Sequence, residues 1–184
     1  MNKKDVQQIE FNEQKFKELI LHVADKCEDD QDYGAIKLNK ILFYSDFLAY
    51  AELGIPITGA EYIALEHGAA PKLLAPIRAD MQKNQEIALR QRDRFGKTQV
   101  RVIPLRKADL SHFSSAEIAL VDKVIDAFCG ANAKDLSEYN HLERGWQIAE
   151  FKETIPYQAV FLSNEDAMPS DIKRAEELAI LNKW

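Results

Sequence analysis

The chain has 184 residues, 46% of them apolar and 29% charged, which fits one globular domain over residues 1–184. Its 30 acidic and 24 basic residues give a net charge of −6, which argues against a general nucleic-acid binder because non-specific binding depends on cationic contacts to phosphate. The polar first ten residues lack the apolar run of a signal peptide, and no apolar stretch is long enough to cross a bilayer. We therefore expect a soluble, cytoplasmic protein with no membrane partner and a loose N-terminus.

Apolar residues at helical spacing predict the first two helices. The first begins near Asn12 and ends before the charged loop 28–34, whose acidity is unfavourable beside a helix C-terminus. The second, over 36–53, is apolar on most sides and is expected to be the central helix of the core. Gly54 is a natural stop for this helix, and Pro56 forbids its continuation.

Residues 61–67 leave two structures open. Their alternating side chains suit a short strand, and a helical turn is equally compatible with so short a segment. Residues 68–71 are expected to break this element, and Pro71 to lie in the first turn of a helix that runs to about Lys83.

A β-hairpin over 87–105 is the clearest sheet signal. Its strands are predicted at 87–94 and 99–105, around a loop that contains Gly96, as hairpin turns usually require. The same part of the chain is strongly basic, because residues 90–107 contain seven basic side chains and one acidic one, a net charge of +6.

The arginines of this hairpin admit three interpretations. Arg90, Arg92 and Arg94 alternate along one strand and therefore project from one face. Together with Arg101 they would suit a nucleic-acid or phosphate-binding module, since guanidinium groups grip phosphates and carboxylates. The second interpretation is a solvated face that protects a sheet edge, and the third is an intramolecular neighbour of the acidic N-terminal part. Nucleic acid is the less favoured ligand, because interleaved aromatic residues are missing beyond Phe95.

Capping signals predict two further helices. Ser114 and Glu117 form a capping box that opens a helix continuing to Phe128. Asn132 is the predicted cap of a short helix that ends near His141.

The last forty residues are expected to form short elements. A helical turn is predicted at 145–150, an extended piece at 160–162, and a C-terminal helix over 170–182 with Ser170 as its cap. The patterns together predict a mainly helical α+β fold, with about six helices around the central apolar helix 36–53 and one β-hairpin over 87–105.

The chain shows no spacing typical of a catalytic or metal site. Its four histidines are scattered, and neither H-x-x-x-H, C-x-x-C, G-x-S-x-G nor a glycine-rich phosphate loop occurs. Cys27 and Cys129 end apolar helical patterns, so we expect reduced, partly buried thiols. We therefore predict no enzyme activity, no metal and no cofactor; only a site assembled around His67 or His141 by the fold would revive an enzyme.

Asp46 is the unusual residue of the central helix. If it is buried it needs a partner, and it would anchor a partner protein or a buried polar network. The alternative is that it lies on a solvated stripe of the helix. That stripe would comprise Lys37, Asn39, Lys40, Asp46 and Tyr50. Trp146 has two interpretations as well, an interface anchor or a core residue.

Three blocks of sequence follow one another between residues 37 and 146. The first, KLNKILFYSDF at 37–47, is similar to K-L-N-K-L-L-Y-F-A-D-F. The second, GIPITG at 54–59 with the residues after it, is similar to G-x-P-I-T-G…Y-x-A…G-P-x-P. Its matching residues are Tyr62, Ala64, Gly68 and Pro71. The third block resembles L-S-x-x-S-H…W. Its matching residues are Leu136, Ser137, His141 and Trp146.

In this combination the blocks resemble the SocA-like Panacea domain, a family of bacterial and phage antitoxins. The chain departs from the family pattern at Ala69, where proline is common, and at Asn140, where the family has serine. The resemblance implies a protein that neutralises a cognate toxin by direct contact, and one relative acts as an adaptor that delivers its toxin to an ATP-dependent protease. By the motif match, the residues implied in partner binding are Lys37, Asn39, Lys40, Tyr44, Asp46, Tyr62, His67, Pro71, His141 and Trp146.

Overall fold

The computed structural model describes residues 9–94, 96–162 and 169–182, and it shows the predicted α+β fold. The α-helices are α1 Glu13–Lys26, α2 Ala35–Leu53, α3 Leu74–Lys83, α4 Ser115–Phe128, α5 Ala133–Asn140, α6 Arg144–Ile148 and α7 Pro169–Asn182. The strands are β1 Tyr62–Leu65, β2 Gly68–Pro71, β3 Ile87–Arg94, β4 Lys97–Pro104 and β5 Thr154–Ile155. Two 3₁₀ turns complete the described elements, at Leu110–His112 and Tyr157–Phe161. The described residues thus contain seven α-helices where about six were predicted.

Helix starts agree with their local sequence signals. Asn12 accepts a hydrogen bond from the Lys15 N–H at 2.9 Å and caps α1. Ser114 and Glu117 form the predicted capping box of α4, with both reciprocal hydrogen bonds present. Asn132 caps α5. These three predictions are confirmed because each depends only on side chains within one turn of the helix.

Helix α2 packs against elements on several sides, namely α1, α4, α5, β2, β4 and the turn at Tyr157–Phe161. It ends at Gly54, which adopts φ 78°. Its buried side chains include Lys37, Lys40 and Asp46 beside the apolar ones. The helix is therefore not apolar throughout, and three ionisable groups lie in its buried surface.

A small antiparallel sheet has the order β2-β1-β5. The open question over 61–67 is thus settled as a strand, with Tyr62 opposite Pro71 and Leu65 opposite Gly68. The expected break at 68–71 is wrong, because Gly68 at φ 90° reverses the chain and lets these residues pair with β1. Pro71 ends β2 instead of starting a helix, and α3 begins only at Leu74.

The predicted hairpin is present as a separate two-stranded sheet of β3 and β4. Pairing runs from Ile87 opposite Pro104 to Arg94 opposite Lys97. Strand β4 begins two residues earlier than predicted, because Gly96 at φ 73° allows a shorter turn than the expected loop 95–98. Phe95, within that loop, lies outside the described residues.

Two predictions near the C-terminus are wrong. The extended piece expected at 160–162 is largely a 3₁₀ turn, held by the Ala159 N–H donating to the Pro156 carbonyl oxygen at 2.9 Å. Ser170 lies inside α7, since this helix already begins at Pro169, a residue suited to the first helical turn. The helical turn expected at 145–150 is present as α6.

The two cysteines differ in exposure. Cys27 is buried, and Cys129 is exposed because it follows the last turn of α4, so the expectation of two partly buried thiols is wrong for Cys129. Both are free thiols. None of the helices in the described part of the chain combines the length and the apolar composition that a membrane span requires.

Candidate functional site

Asp46 lies at the centre of a buried hydrogen-bond network. Its carboxylate accepts hydrogen bonds from the backbone N–H of Thr58 at 2.7 Å and from the Thr58 hydroxyl at 2.5 Å. The Tyr62 hydroxyl donates to the same carboxylate at 2.8 Å. Nearby, the Tyr157 hydroxyl donates to the Ala60 carbonyl oxygen at 2.6 Å. Of the two alternatives for Asp46, the buried polar network is therefore correct and the solvated stripe is wrong.

The surroundings of Asp46 act on its pKa in opposite directions. Burial raises the pKa of this carboxyl above its usual range, while the hydrogen bonds from Thr58 and Tyr62 favour the ionised form and offset part of the rise. Burial also raises the pKa of Tyr62 well above its ordinary value, with the nearby Asp46 charge adding to the effect. The hydrogen bonds of Asp46 join α2 to the turn that follows it and to β1. All the groups that take part are buried.

Lys40 belongs to a second chain of hydrogen bonds, which joins β2 to α2 and α5. Its Nζ donates to the Ala69 carbonyl oxygen at 2.9 Å, and the Ala69 N–H donates to Oδ1 of Asn140 at 2.6 Å. The Asn140 amide in turn donates to the Tyr44 hydroxyl at 3.2 Å, and that hydroxyl donates to Glu143 at 2.9 Å. Burial lowers the pKa of Lys40 to about 7.

Two departures from the family pattern meet in this second chain of hydrogen bonds. Proline at position 69 would have no N–H, so the bond from the backbone of residue 69 to Asn140 requires a residue other than proline, as this chain has. The longer side chain of Asn140 reaches that N–H and Tyr44 at once. The two residues that depart from the family pattern, Ala69 and Asn140, are therefore hydrogen-bonded to each other.

Gly68 makes the close approach of these groups possible. A Cβ atom at this position would lie 2.3 Å from Oδ1 of Asn140 and 2.4 Å from Nζ of Lys40. No side chain fits there without displacing both groups, and the φ of 90° favours glycine as well.

His141 and Trp146 together hold the turn between β1 and β2. The Trp146 Nε1–H donates to the Leu65 carbonyl oxygen at 3.1 Å, and Nε2 of His141 lies 3.1 Å from the Glu66 carbonyl oxygen. The two rings are stacked, with centroids 4.0 Å apart. His67 lies in the same turn and is exposed.

The other motif residues are also largely enclosed. Lys37 is buried, and its Nζ pairs with Asp30 at 2.5 Å and donates to the Phe128 carbonyl oxygen at 3.1 Å. The half-buried Asn39 has no hydrogen-bond partner for its Oδ1 among the described residues. Of the ten residues implied in partner binding, His67 alone is exposed. Buried or half-buried are Lys37, Asn39, Lys40, Tyr44, Asp46, Tyr62, Pro71, His141 and Trp146. Direct contact with a partner stays a prediction for these ten, and their observed contacts are internal.

The basic face of the hairpin covers the acidic loop 28–34. Arg92 and Arg94 both donate to the Gln31 carbonyl oxygen, and Arg94 also pairs with Asp32 at 2.7 Å. The intramolecular interpretation of this basic row is thus confirmed for both arginines.

Arg101 is the most enclosed of the four hairpin arginines. It is buried and donates to the carbonyl oxygens of Cys27, Glu28 and Asp30 at 3.2, 2.8 and 2.7 Å. The prediction that Arg101 forms part of an exposed basic contact surface is therefore wrong. Arg90, directly opposite Arg101, is the exposed member of the row.

A group of exposed apolar side chains on the surface has no counterpart in the sequence patterns. Residues 139–151, at the end of α5 and around α6, carry four exposed large apolar side chains. They are Tyr139, Leu142, Ile148 and Phe151, with 53%, 61%, 63% and 68% of their surfaces exposed. Their irregular spacing fits neither a helix nor a strand. In the part of the chain that the structure describes, no three His, Cys, Asp or Glu side chains are grouped as a metal site would need.

A family model described as antitoxin SocA-like, Panacea domain, matches residues 38–147, which is more than half of the chain. The chain therefore belongs to the SocA-like Panacea antitoxin family. The matched range contains Asp46, Thr58 and Tyr62, the second chain of hydrogen bonds, and the stacked pair of His141 and Trp146. Neither a curated protein nor a solved structure matches the chain.

Proposed function

We propose that this chain is an antitoxin that neutralises a cognate toxin by direct protein–protein contact. Family membership supports a toxin as partner in general terms. The structural observation that carries the proposal is the group of exposed apolar side chains on residues 139–151, which we call the 139–151 surface. Four exposed large apolar side chains within residues 139–151 favour an interaction site there, since exposed apolar groups gathered in one patch mark such sites. On this proposal the chain acts by binding and has no catalytic activity of its own.

Hydrogen bonds of the motif residues tie the 139–151 surface to the small sheet. His141 and Trp146 fasten it to the β1–β2 turn, and the Lys152 N–H donates to the Ala64 carbonyl oxygen at 2.7 Å at its far end. Asn140 ties its start to β2. A preorganised surface loses little conformational entropy on binding, which favours affinity. The motif residues thereby support recognition by positioning the exposed side chains.

The charges around this surface indicate the kind of partner it suits. Four exposed carboxylates lie on or beside it, against three basic side chains, Arg144, Lys152 and Lys134, of which Lys134 pairs with Glu138 at 3.7 Å. The carboxylates are Glu66, Glu138, Glu150 and Glu153. An apolar patch with an acidic rim is complementary to an apolar patch with a basic rim. We therefore expect the toxin to present basic residues around the apolar side chains it buries.

The binding test uses the purified chain and the tagged product of the gene next to its own. Leu142→Asp and Phe151→Asp are each expected to weaken the complex about 30-fold or more, because each removes an apolar anchor and places a charge in the contact. Leu105→Asp is the matched control, because Leu105 is comparably exposed, at 55%, and follows β4. Equal binding by all three variants would reject the 139–151 surface, and no complex with the wild-type chain would count against the antitoxin proposal itself.

An adaptor role is the alternative form of the same function. If the chain delivers its partner to an ATP-dependent protease, the partner's half-life in cells falls when the chain is present. If contact alone neutralises the toxin, the half-life is unchanged or longer, because a bound partner is protected from unfolding and cleavage. A chase experiment with and without the chain separates the two forms.

A further inference from the structure

A cleft of about 440 Å³ opens between the hairpin and the first turns of α2 and α5. Residues 34–37, 97–100 and 132–134 line it, together with Asp32 and Arg94. Its volume falls in the range of small-molecule sites. We call it the hairpin cleft; it shares no residue with the 139–151 surface.

One wall of the hairpin cleft is apolar. Ile36, Val100 and Ala133 contribute to its lining from three different elements, and all three are half-exposed. A ring or an aliphatic part of a ligand binds favourably against such apolar groups, because both surfaces are removed from water.

The charged groups of the hairpin cleft are mostly cationic. Arg94, Lys97 and Lys134 line it, and its one carboxylate, Asp32, is already paired with Arg94 at 2.7 Å. Lys97 forms no ion pair within the described ranges 9–94, 96–162 and 169–182, and Lys134 is 3.7 Å from Glu138, one turn further along α5. The protein as a whole carries −6, so a cleft with this excess of cations is a local exception that attracts anions.

The start of α2 adds to this positive potential. Its N-cap, Gly34, provides no side-chain hydrogen bond, and its first turn contains no acidic residue. The 19-residue helix therefore directs the partial positive charge of its first N–H groups towards the hairpin cleft. A Cβ on Gly34 would lie 2.8 Å from Cγ of Gln99, so the hairpin approaches this helix end closely.

We propose that the hairpin cleft binds a nucleoside phosphate. The phosphate is held by Lys97 and Lys134 at the start of α2, and the base lies against the apolar wall of Ile36 and Val100. A nucleic-acid strand fits less well, because Arg92 and Arg101 are directed to backbone carbonyls of the loop 28–34 and its neighbours. Binding of this ligand does not depend on the antitoxin proposal.

The test is calorimetric titration of the full chain with ATP, and separately with adenosine, inorganic phosphate and a single-stranded oligonucleotide. We expect ATP to bind more tightly than adenosine, because only ATP meets the cations, and more tightly than inorganic phosphate, which leaves the apolar wall unused. The double variant Lys97→Glu, Lys134→Glu is expected to weaken ATP binding about 100-fold, or about tenfold for each lysine reversed. Both side chains are exposed, so the fold tolerates the change.

Lys107→Glu is the control, since Lys107 is exposed and outside the cleft lining; its affinity for ATP is expected to equal that of the wild-type chain. The proposal is overturned if ATP does not bind, or if the double variant binds it as the wild type does. Equal affinity for ATP and inorganic phosphate would overturn the nucleoside part. Tighter binding of the oligonucleotide, lost in the same double variant, would replace the small ligand by a nucleic acid.

Discussion

At Asp46 a single carboxylate joins three parts of the fold. It lies on α2 and accepts hydrogen bonds from Thr58, in the turn after that helix, and from Tyr62 on β1. Lys40, on the same helix, binds the backbone of β2. The buried charged groups of α2 therefore act as connectors, and each is tied to a backbone or side-chain partner that would lose a hydrogen bond if it were removed.

Removal of the Asp46 carboxylate is expected to destabilise the protein strongly. Asp46→Ala leaves the Thr58 N–H, the Thr58 hydroxyl and the Tyr62 hydroxyl without this acceptor in a buried site. We predict a loss of about 3 kcal/mol in the free energy of unfolding, measured by urea denaturation. Asp126→Ala, on the exposed face of α4, is the control and is expected to change it by less than about 0.5 kcal/mol. Similar small changes in both variants would contradict the role given to Asp46.

Lys40 gives the stability a defined pH dependence. Its pKa in the folded chain is lowered to about 7, whereas the ordinary value of 10.5 applies in the unfolded chain. Between these values the unfolded chain binds a proton that the folded chain has released, so the stability contributed by this group rises with pH from about 7 towards 10.5. Relative to Lys40→Met, the wild type should gain at most about 1.4 kcal/mol per pH unit over this window.

Urea denaturation of the wild type and Lys40→Met from pH 6 to pH 9 measures this difference, and groups common to both chains cancel. Lys123→Met is the control, because its ammonium group is exposed on α4. Its stability should run parallel to that of the wild type across the range. A Lys40→Met curve parallel to the wild type would show that the pKa of Lys40 is not lowered.

At the scale of elements, the hairpin and the loop 28–34 form one unit through Arg101. This guanidinium binds three carbonyl oxygens of residues 27–30 and lies 5.4 Å from the ring centroid of Tyr33. Cys27, at the start of this loop, is buried, and burial raises the pKa of its thiol to about 11. The reactivity of this thiol therefore reports whether the loop is closed.

Arg101→Ala is expected to open the loop and expose Cys27. In the wild type, the exposed Cys129 should react at once with a thiol reagent, while Cys27 reacts only when the structure opens locally. The variant should accelerate the slow reaction and leave the fast one unchanged. Arg90→Ala, on the opposite strand and exposed, should leave both rates as they are. An unchanged slow rate in Arg101→Ala would show that another contact closes the loop.

Elements differ in how far the sequence alone predicts them. The starts of α1, α4 and α5 follow from capping residues within one turn, so local sequence suffices. Strand β2 is specified by its pairing with β1 and by the backbone reversal at Gly68, neither of which has a local periodic signature. Side-chain alternation predicted that Arg90, Arg92 and Arg94 share one face of the hairpin; which of them the loop 28–34 covers depends on tertiary packing.

For the whole molecule, the family resemblance and the main α+β fold were predictable, and the surfaces were not. The motif residues predict the fold because their side chains are buried in its interior, as those of Lys40, Asp46 and Tyr62 are. Helix α2 is surrounded by other elements, so its sequence could not show which of its polar residues would be buried. The 139–151 surface and the hairpin cleft are made by residues that only the tertiary fold brings together.

Cell viability tests the proposed neutralisation of a toxin by this chain. The product of the neighbouring gene is induced alone, with the wild-type chain, and with Leu142→Asp. We expect growth arrest in the first case, restored growth in the second, and arrest again in the third, because this variant places a charge in the apolar contact. Continued arrest in the presence of the wild-type chain would contradict this proposal.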